Sequence, residues 1–357
     1  MINKKEIFHI GLWMPSWIGD VVLSLPALKS LRVLYPNSRI TAIVKSPIEQ
    51  FLLGHPAVDS ILKFPSNKGD GLISQFSYAL GLRKYRFDLG IVFPNSFHSA
   101  LMLMLTGARF RVGYQTDGRS ILLTHTIPVT RKEKKTSYRV NYFHKILSPL
   151  SPGPVQAFHE PLLIKQPSIK LDNVLSSMGV GGKDYFITIH PGASKMERAW
   201  HAERFGVLCQ KIVQEYRVKI ILIGTEKEKP LLKKIRAFCS QDEVHIAPEL
   251  NLVEVTQLLK RSMLLIGNDS GMLHLASLNG TPVVGIFGPG HPETTGPYVD
   301  TKKKEIVTEN YLCSPCSQNF FKECKPSPHN KPFCLEDISV KSVFESVRRL
   351  IIRLELY

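Results

Sequence analysis

With 357 residues, the chain exceeds what one hydrophobic core ordinarily organises, so two domains are expected. Its 43% hydrophobic and 21% charged residues exclude an intrinsically disordered chain, and no repeat at a solenoid period is present. The net charge of +16 is uneven: residues 1–165 carry 21 Lys and Arg against 9 Asp and Glu, or +12, which leaves +4 for the remainder. Such a field steers anionic partners, whether phosphorylated lipid, a membrane surface or nucleic acid; a solvated basic surface has the same composition.

Residues 1–14 carry Lys4 and Lys5 ahead of a short apolar run, which Gly11 and Pro15 interrupt without a cleavage site, so a first β-strand is predicted there. The longest apolar segment, 100–105, falls far short of the roughly 18 to 20 residues of a membrane span, and a cytoplasmic protein without one is expected. Short apolar runs bounded by Gly, Pro or Asn alternate with helical patterns, which predicts parallel α/β units. Strands are predicted at 7–13, 40–44, 89–93 and 112–114, with helices at 21–34, 74–83 and 97–105 between them. Residues 151–167 have the Pro and Gly content of a linker. Beyond it, strands are predicted at 185–190, 219–223, 263–267 and 283–287, and helices at 205–216, 231–239, 252–261 and 271–278. A last amphipathic segment, 339–356, is predicted to pack on the second domain, a membrane-surface helix being the lesser alternative.

The chemistry gathers where strands end. Pro15-Ser16-Trp17-Ile18-Gly19-Asp20 follows the first strand, at the edge where open α/β sheets bind ligands. Asp20 there is either a helix N-cap or a carboxylate facing a cleft. In Gly267-Asn268-Asp269-Ser270-Gly271-Met272-Leu273-His274, small residues open a helix whose N–H groups can approach a diphosphate closely; Asp269 as a mere N-cap is the plainer alternative. His190-Pro191-Gly192-Ala193-Ser194-Lys195, followed by Arg198, adds glycine, hydroxyl and cations, as a phosphate requires. Gly224-Thr225-Glu226 offers a carboxylate for ribose hydroxyls, and Phe287-Gly288-Pro289-Gly290-His291-Pro292 ends a fourth strand at the same edge.

Together these motifs resemble the ADP-heptose:lipopolysaccharide heptosyltransferases of glycosyltransferase family 9, along essentially the whole chain, with the Pro-Ser-Trp-Ile-Gly-Asp opening most similar to the heptosyltransferase II type. The resemblance implies a GT-B architecture: a Rossmann-like acceptor domain over 1–160, a Rossmann-like nucleotide-sugar domain over 168–338 and a C-terminal helix over 339–357. It implies an inverting transfer from ADP-heptose to a lipid A-core acceptor at the cytoplasmic face of the inner membrane, with no cofactor or catalytic metal. By position Asp20 matches the general base. Gly192, Ala193, Ser194, Lys195, Arg198, Glu226, Asp269, Ser270, Gly271, Met272 and His274 match the donor site. Trp17, Arg131, Lys132 and Lys135 are the acceptor candidates. One departure stands out: similar proteins have Lys two residues before a Trp-Pro, where this chain has Arg198-Ala199-Trp200-His201.

Of six cysteines, Cys209 and Cys239 sit among apolar residues at helical spacing and are expected in a core. Cys313-x2-Cys316-x7-Cys324-x9-Cys334 fits either a structural Zn²⁺ site or a redox-sensitive or simply packed loop. Two rival functions remain open at this level: a nucleotide-sugar epimerase of the same shape, which needs no acceptor, and a basic nucleic-acid-binding module. The latter is disfavoured because the basic residues and the cysteines lie in different halves.

Overall fold

A computed structural model describes residues 2–65, 71–151, 168–181, 184–239, 242–314, 316 and 318–357. The chain divides into two compact units, Met1–Leu163 and Ile164–Tyr357. The Pro- and Gly-rich stretch expected as a linker lies outside the described residues apart from Ser151.

The first unit is built on six strands: β1 (His9–Trp13), β2 (Arg39–Lys45), β3 (Ser60–Phe64), β4 (Leu89–Val92), β5 (Phe110–Tyr114) and β6 (His125–Ile127). They are parallel throughout and lie in the order β3-β2-β1-β4-β5-β6. Parallel strands covered on both faces must be apolar almost continuously, and β4 is buried at every residue. The edge strands lack that signal. β3 is buried only at Phe64, and β6 has three residues, two of them His125 and Thr126. Among the described residues, six helices flank the sheet: α1 (Ile18–Leu34), α2 (Glu49–Leu52), α3 (Leu72–Gly81), α4 (Phe97–Leu105), α5 (Arg131–Thr136) and α6 (Arg139–Lys145). Helix α1 is buried at every position from Val21 to Leu28, because its outer side is covered by α6. Pro26 within it cannot donate a backbone hydrogen bond; the carbonyl of Pro26 accepts instead from the Ser30 hydroxyl.

The second unit repeats the plan with β7 (Phe186–His190), β8 (Lys219–Leu222), β9 (Val244–Ile246), β10 (Leu265–Asn268), β11 (Val283–Ile286) and β12 (Lys304–Val307). Their order, β12-β11-β10-β7-β8-β9, is that of the first sheet read from the other edge, and every pair is again parallel. The helices are α7 (Ile169–Ser177), α8 (Ala202–Tyr216), α9 (Lys229–Ala237), α10 (Leu252–Arg261), α11 (Gly271–Leu278), α12 (Pro292–Thr295), α13 (Phe333–Glu336) and α14 (Val340–Leu354). Ser339 caps α14 by accepting from the Ser342 N–H. The helix buries Val343, Val347, Leu350 and Ile351 against α8, β11 and β12. Arg349 and Arg353 on its outer side reach Glu305 of β12. The C-terminal helix is therefore part of the second unit's core, as its amphipathic pattern requires.

Both strand orders are those of a doubly wound sheet, in which consecutive crossovers leave the first strand in opposite directions. The carboxyl ends of the two strands at that reversal open a crevice. In the first unit the crevice lies beyond β1 and β4, hence at Trp17–Asp20 and Pro94–Ser96; in the second it lies beyond β7 and β10, hence at Pro191–Arg198 and Asp269–Ser270.

Candidate active site

In the first unit, α1 begins directly after the β1 loop. Trp17 occupies its N-cap position without a side-chain cap, and its ring is 70% exposed. Asp20 is thus the third residue of the helix and not its cap. Its half-buried carboxylate has no hydrogen-bond partner among the described residues, which leaves it available to a ligand. Burial pushes its pKa up, and the Arg139 guanidinium opposes that rise. Arg131, Lys132 and Lys135 lie together on α5, exposed to solvent, on a turn stabilised by a capping box between Thr130 and Glu133. The only acidic residue of α5, Glu133, is paired with Lys145 at 2.8 Å, so those three cations carry no ion pair among the described residues.

In the second unit the crevice is densely built. Asn268, the fully buried last residue of β10, accepts from the Trp200 N–H at 3.0 Å and donates to the Pro191 carbonyl at 2.6 Å. It thereby joins both flanks of the Pro191–Trp200 loop to the sheet. Arg198, in that loop, donates through Nη2 to the Asp269 carboxylate at 2.5 Å and to the Asp269 carbonyl at 2.9 Å, and through Nη1 to the Ser194 hydroxyl at 3.3 Å. Asp269 is buried, and desolvation pushes its carboxyl up against the pull of Arg198. Ser270, not Asp269, is the N-cap of α11, and its hydroxyl makes no capping bond. The N–H groups of Gly271 and Met272 are therefore the free ends of a helix dipole, with positive potential ahead of them.

Two nitrogens next to this helix start are unsatisfied. Arg198 Nε and His274 Nδ1 are buried, and neither has a hydrogen-bond partner among the described residues. Burial and the neighbouring Arg198 charge bring His274 down to about 4, so it is neutral at physiological pH. Orphaned buried polar atoms are costly unless something fills the site, and these stand beside free helix N–H groups and a guanidinium. That arrangement fits an anion with several oxygens.

Two glycines allow the close packing. A Cβ at Gly290 would stand 2.2 Å from an Asp269 carboxylate oxygen, and one at Gly192 would stand 1.7 Å from Glu228 Oε1. Glu228 lies inside the crevice, 3.9 Å from His190 Nε2, and its other oxygen accepts from the Thr225 N–H and hydroxyl. Glu226, the carboxylate singled out by sequence, is instead exposed and paired with Lys229 at 3.1 Å. The capping box Thr225-x-x-Glu228 was the signal that favours Glu228 as the inward residue. Gly192→Ala is expected to expel the Glu228 carboxylate from the crevice and break its hydrogen bonds to Thr225, lowering Tm by an amount that a melting curve checks.

Lys195 is turned away from Arg198: its Nζ donates to the Gln318 carbonyl at 3.4 Å and lies 5.3 Å over the Phe320 ring. Gly192 is buried, Ala193 and Met272 are half-buried, and Ser194 is exposed at the rim. Cys209 and Cys239 are buried in the core. Cys313, Cys316, Cys324 and Cys334 line one cavity of about 370 Å³ together with Tyr311, Phe320 and Phe333. Among the described residues, no three His, Cys, Asp or Glu side chains converge as metal ligands, so the structural-zinc expectation is unsupported.

Among the described residues no helix is long and apolar enough to cross a membrane. Comparison with known proteins agrees with this architecture. The family model described as glycosyltransferase family 9 (heptosyltransferase) matches residues 76–325. The chain is 26% identical over 304 residues to lipooligosaccharide heptosyltransferase 2 of Haemophilus influenzae, covering 80% of this chain and 85% of that protein. In fold it is similar to ADP-heptose lps heptosyltransferase II of E. coli, with a TM-score of 0.78 at 21% identity over 98% of this chain and 100% of that one. It is likewise similar to a family 9 glycosyl transferase of Veillonella parvula, with a TM-score of 0.84 at 20% identity over 99% and 98% of the two chains. Two Rossmann-like parallel sheets and a family match over more than half of its length make this chain a member of glycosyltransferase family 9, the heptosyltransferases.

Proposed function

We propose that the chain transfers a heptose from ADP-L-glycero-D-manno-heptose to the inner core of lipopolysaccharide, in the manner of a heptosyltransferase II, with inversion at the sugar carbon. The observation that carries the donor half is the anion cradle of the second unit, where Arg198 Nε and His274 Nδ1 lack partners among the described residues beside the uncapped N-terminus of α11. The diphosphate of the donor suits it, and Glu228, beside His190, is the proposed partner of a ribose hydroxyl. The first unit, with Asp20, Trp17 and the cations of α5, is the acceptor domain.

In the transfer, an acceptor hydroxyl attacks C1 of the heptose as the bond from C1 to the diphosphate oxygen breaks. Asp20 accepts the hydroxyl proton, for which it needs to lie about 2.6–3.2 Å from that oxygen. Negative charge develops on the departing ADP, and Arg198 with the free N–H groups of α11 stabilises it. The basic first unit suits an acceptor bearing lipid A phosphates and acidic sugars, met at the cytoplasmic face of the inner membrane. Relatives named heptosyltransferase 2 support the sugar and the acceptor class. With purified protein, ADP release from ADP-heptose is expected only when a heptose-accepting core lipid is present. Release at the same rate without any acceptor would favour an epimerase or a hydrolase and overturn the assignment.

A further inference from the structure

Helices α3 and α4 lie next to each other on one side of the first sheet, and neither contains an Asp, Glu, Lys or Arg. A helix at a protein surface ordinarily carries charge on the side that faces water. In α3, Leu72, Phe76 and Leu80 recur at the four-residue spacing of one helix face, with Ile73 beside them. Leu72, Ile73 and Leu80 are nonetheless exposed, Ile73 to 85% and Leu72 to 64%. The opposite side of α3 holds the helix on the core: Ala79 is buried there, and Tyr78 meets the Phe64 ring edge-on with centroids 5.6 Å apart. On α4 the same spacing carries Phe97, Leu101 and Leu105, the first exposed and the other two half-buried. Arg83 Nε donates to the Leu105 carbonyl at 3.1 Å, which ties the turn after α3 to the end of α4.

Charge gathers at one end of this uncharged face. The 3₁₀ turn Leu82–Tyr85 and the residue after it expose Arg83, Lys84 and Arg86, and none of the three is in an ion pair among the described residues. Between residues 71 and 111 the one acidic residue is Asp88, whose carboxylate accepts from the Phe8 and His9 N–H groups at 2.8 and 2.9 Å. At the other end, α4 begins directly after Pro94–Ser96, so Phe97 stands at the border of the first unit's crevice. Helix α14, which has the amphipathic pattern of a membrane-surface helix, buries its apolar side against α8, β11 and β12; α3 and α4 turn theirs outward.

We propose that the outer face of α3 and α4 docks the first unit on an anionic bilayer, with Leu72, Ile73, Leu80 and Phe97 entering the boundary between headgroups and acyl chains and Arg83, Lys84 and Arg86 meeting lipid phosphates. This docking rests on the lipid-acceptor reading for its purpose, not for the binding itself. A contiguous apolar surface with a polar rim marks a site that another phase or molecule covers. A bilayer supplies both halves of the match, acyl chains for the stripe and negative surface potential for the cations. A second copy of the chain is a poorer occupant, because it brings the same basic rim and a further net charge of +16. With this face on the membrane, the crevice border at Phe97 lies at the lipid surface, and an acceptor reaches the crevice without leaving the bilayer.

The test is sedimentation of the full chain with vesicles that contain no acceptor. Binding is expected to vesicles of phosphatidylethanolamine and phosphatidylglycerol, to weaken as salt is raised, and to be about tenfold or more weaker on phosphatidylcholine alone. Leu72→Gln with Ile73→Gln, and separately Lys84→Gln with Arg86→Gln, should each weaken binding to the anionic vesicles by about tenfold or more, with melting temperature and ADP affinity unchanged. Both pairs should slow ADP release with a lipid acceptor held in vesicles and leave it unchanged with a soluble core saccharide. Wild-type protein that ignores the anionic vesicles overturns the proposal, as does a Leu72, Ile73 pair variant that binds them like the wild type. An equal loss in Arg131→Gln with Lys132→Gln also overturns it, because binding would then belong to the basic field of the whole unit. A wild-type dimer that the Leu72, Ile73 pair variant converts to monomer, without vesicle binding, assigns the face to a second copy instead. If vesicle binding behaves as expected but neither acceptor elicits ADP release, the docking face stands and the heptosyl transfer falls.

Discussion

Asp20→Asn is expected to reduce acceptor-dependent ADP release by about 10²–10⁴-fold while leaving the affinity for ADP unchanged. The substitution is nearly isosteric, and the wild-type carboxylate makes no hydrogen bond among the described residues, so little of the fold depends on its charge. What it removes is the proton acceptor. The pH dependence gives a second, independent signature. Burial places the Asp20 pKa above the ordinary carboxylate range, even with Arg139 opposing it. A base acts only when ionised, so wild-type kcat/KM should fall as pH is lowered through a point above the usual value of about 3.9, and the variant's small residual rate should lack that limb. A variant that keeps most of its activity, or that keeps the same acidic limb, would show that the proton leaves by another route.

Asp20 could be singled out from sequence because a turn after the first strand of an open α/β sheet lies at the ligand edge whatever the side chains are. Its role as N-cap could not be decided in the same way. The helix begins at Ile18, one turn earlier than the apolar periodicity suggests, and Trp17 takes the cap position without capping it. The inner strands were legible because burial on both faces demands unbroken apolar runs, as in β4 and β7. Edge strands β3, β6, β9 and β12 carry half-exposed or polar residues and gave no such run.

The packing of α6 on α1 is a contact between segments far apart in the chain that no local pattern encodes. The same limit explains the cysteines. Their spacing is compatible with a zinc site, yet the fold places Cys313 at the surface and Cys334 in the interior, and among the described residues no three such side chains converge as ligands. Glu226 and Glu228 differ by two positions, and only the second faces Gly192. Here the capping box contained the information, since the N3 carboxylate of such a box folds back toward the turn.

Arg198→Ala is expected to have the second large effect, on donor binding and on stability together. The guanidinium neutralises Asp269, and its Nε, without a partner among the described residues, is the proposed donor to the diphosphate. Without it, Asp269 is a buried carboxylate lacking a counter-charge, a situation that typically costs about 3–5 kcal/mol. The pH dependence has a definite sign. A carboxyl whose pKa is higher in the folded than in the unfolded chain holds its proton more tightly when folded, so acid favours the fold. Burial already raises Asp269 in the wild type, and loss of Arg198 removes the interactions that oppose it. The Tm deficit of Arg198→Ala should therefore be greatest at neutral pH and shrink as pH falls through the raised Asp269 pKa. Arg198→Ala combined with Asp269→Asn should recover much of the stability at neutral pH without recovering donor affinity, because the orphaned anion donor is still gone. Arg198→Lys separates the two roles further: an ammonium can neutralise Asp269, but it has no second donor fixed in the same plane to reach the diphosphate, so stability should be largely kept while donor affinity falls. A Tm deficit for Arg198→Ala that does not change with pH would mean that the Asp269 carboxylate finds another partner, and that the ion pair at this switch point does not organise the donor site.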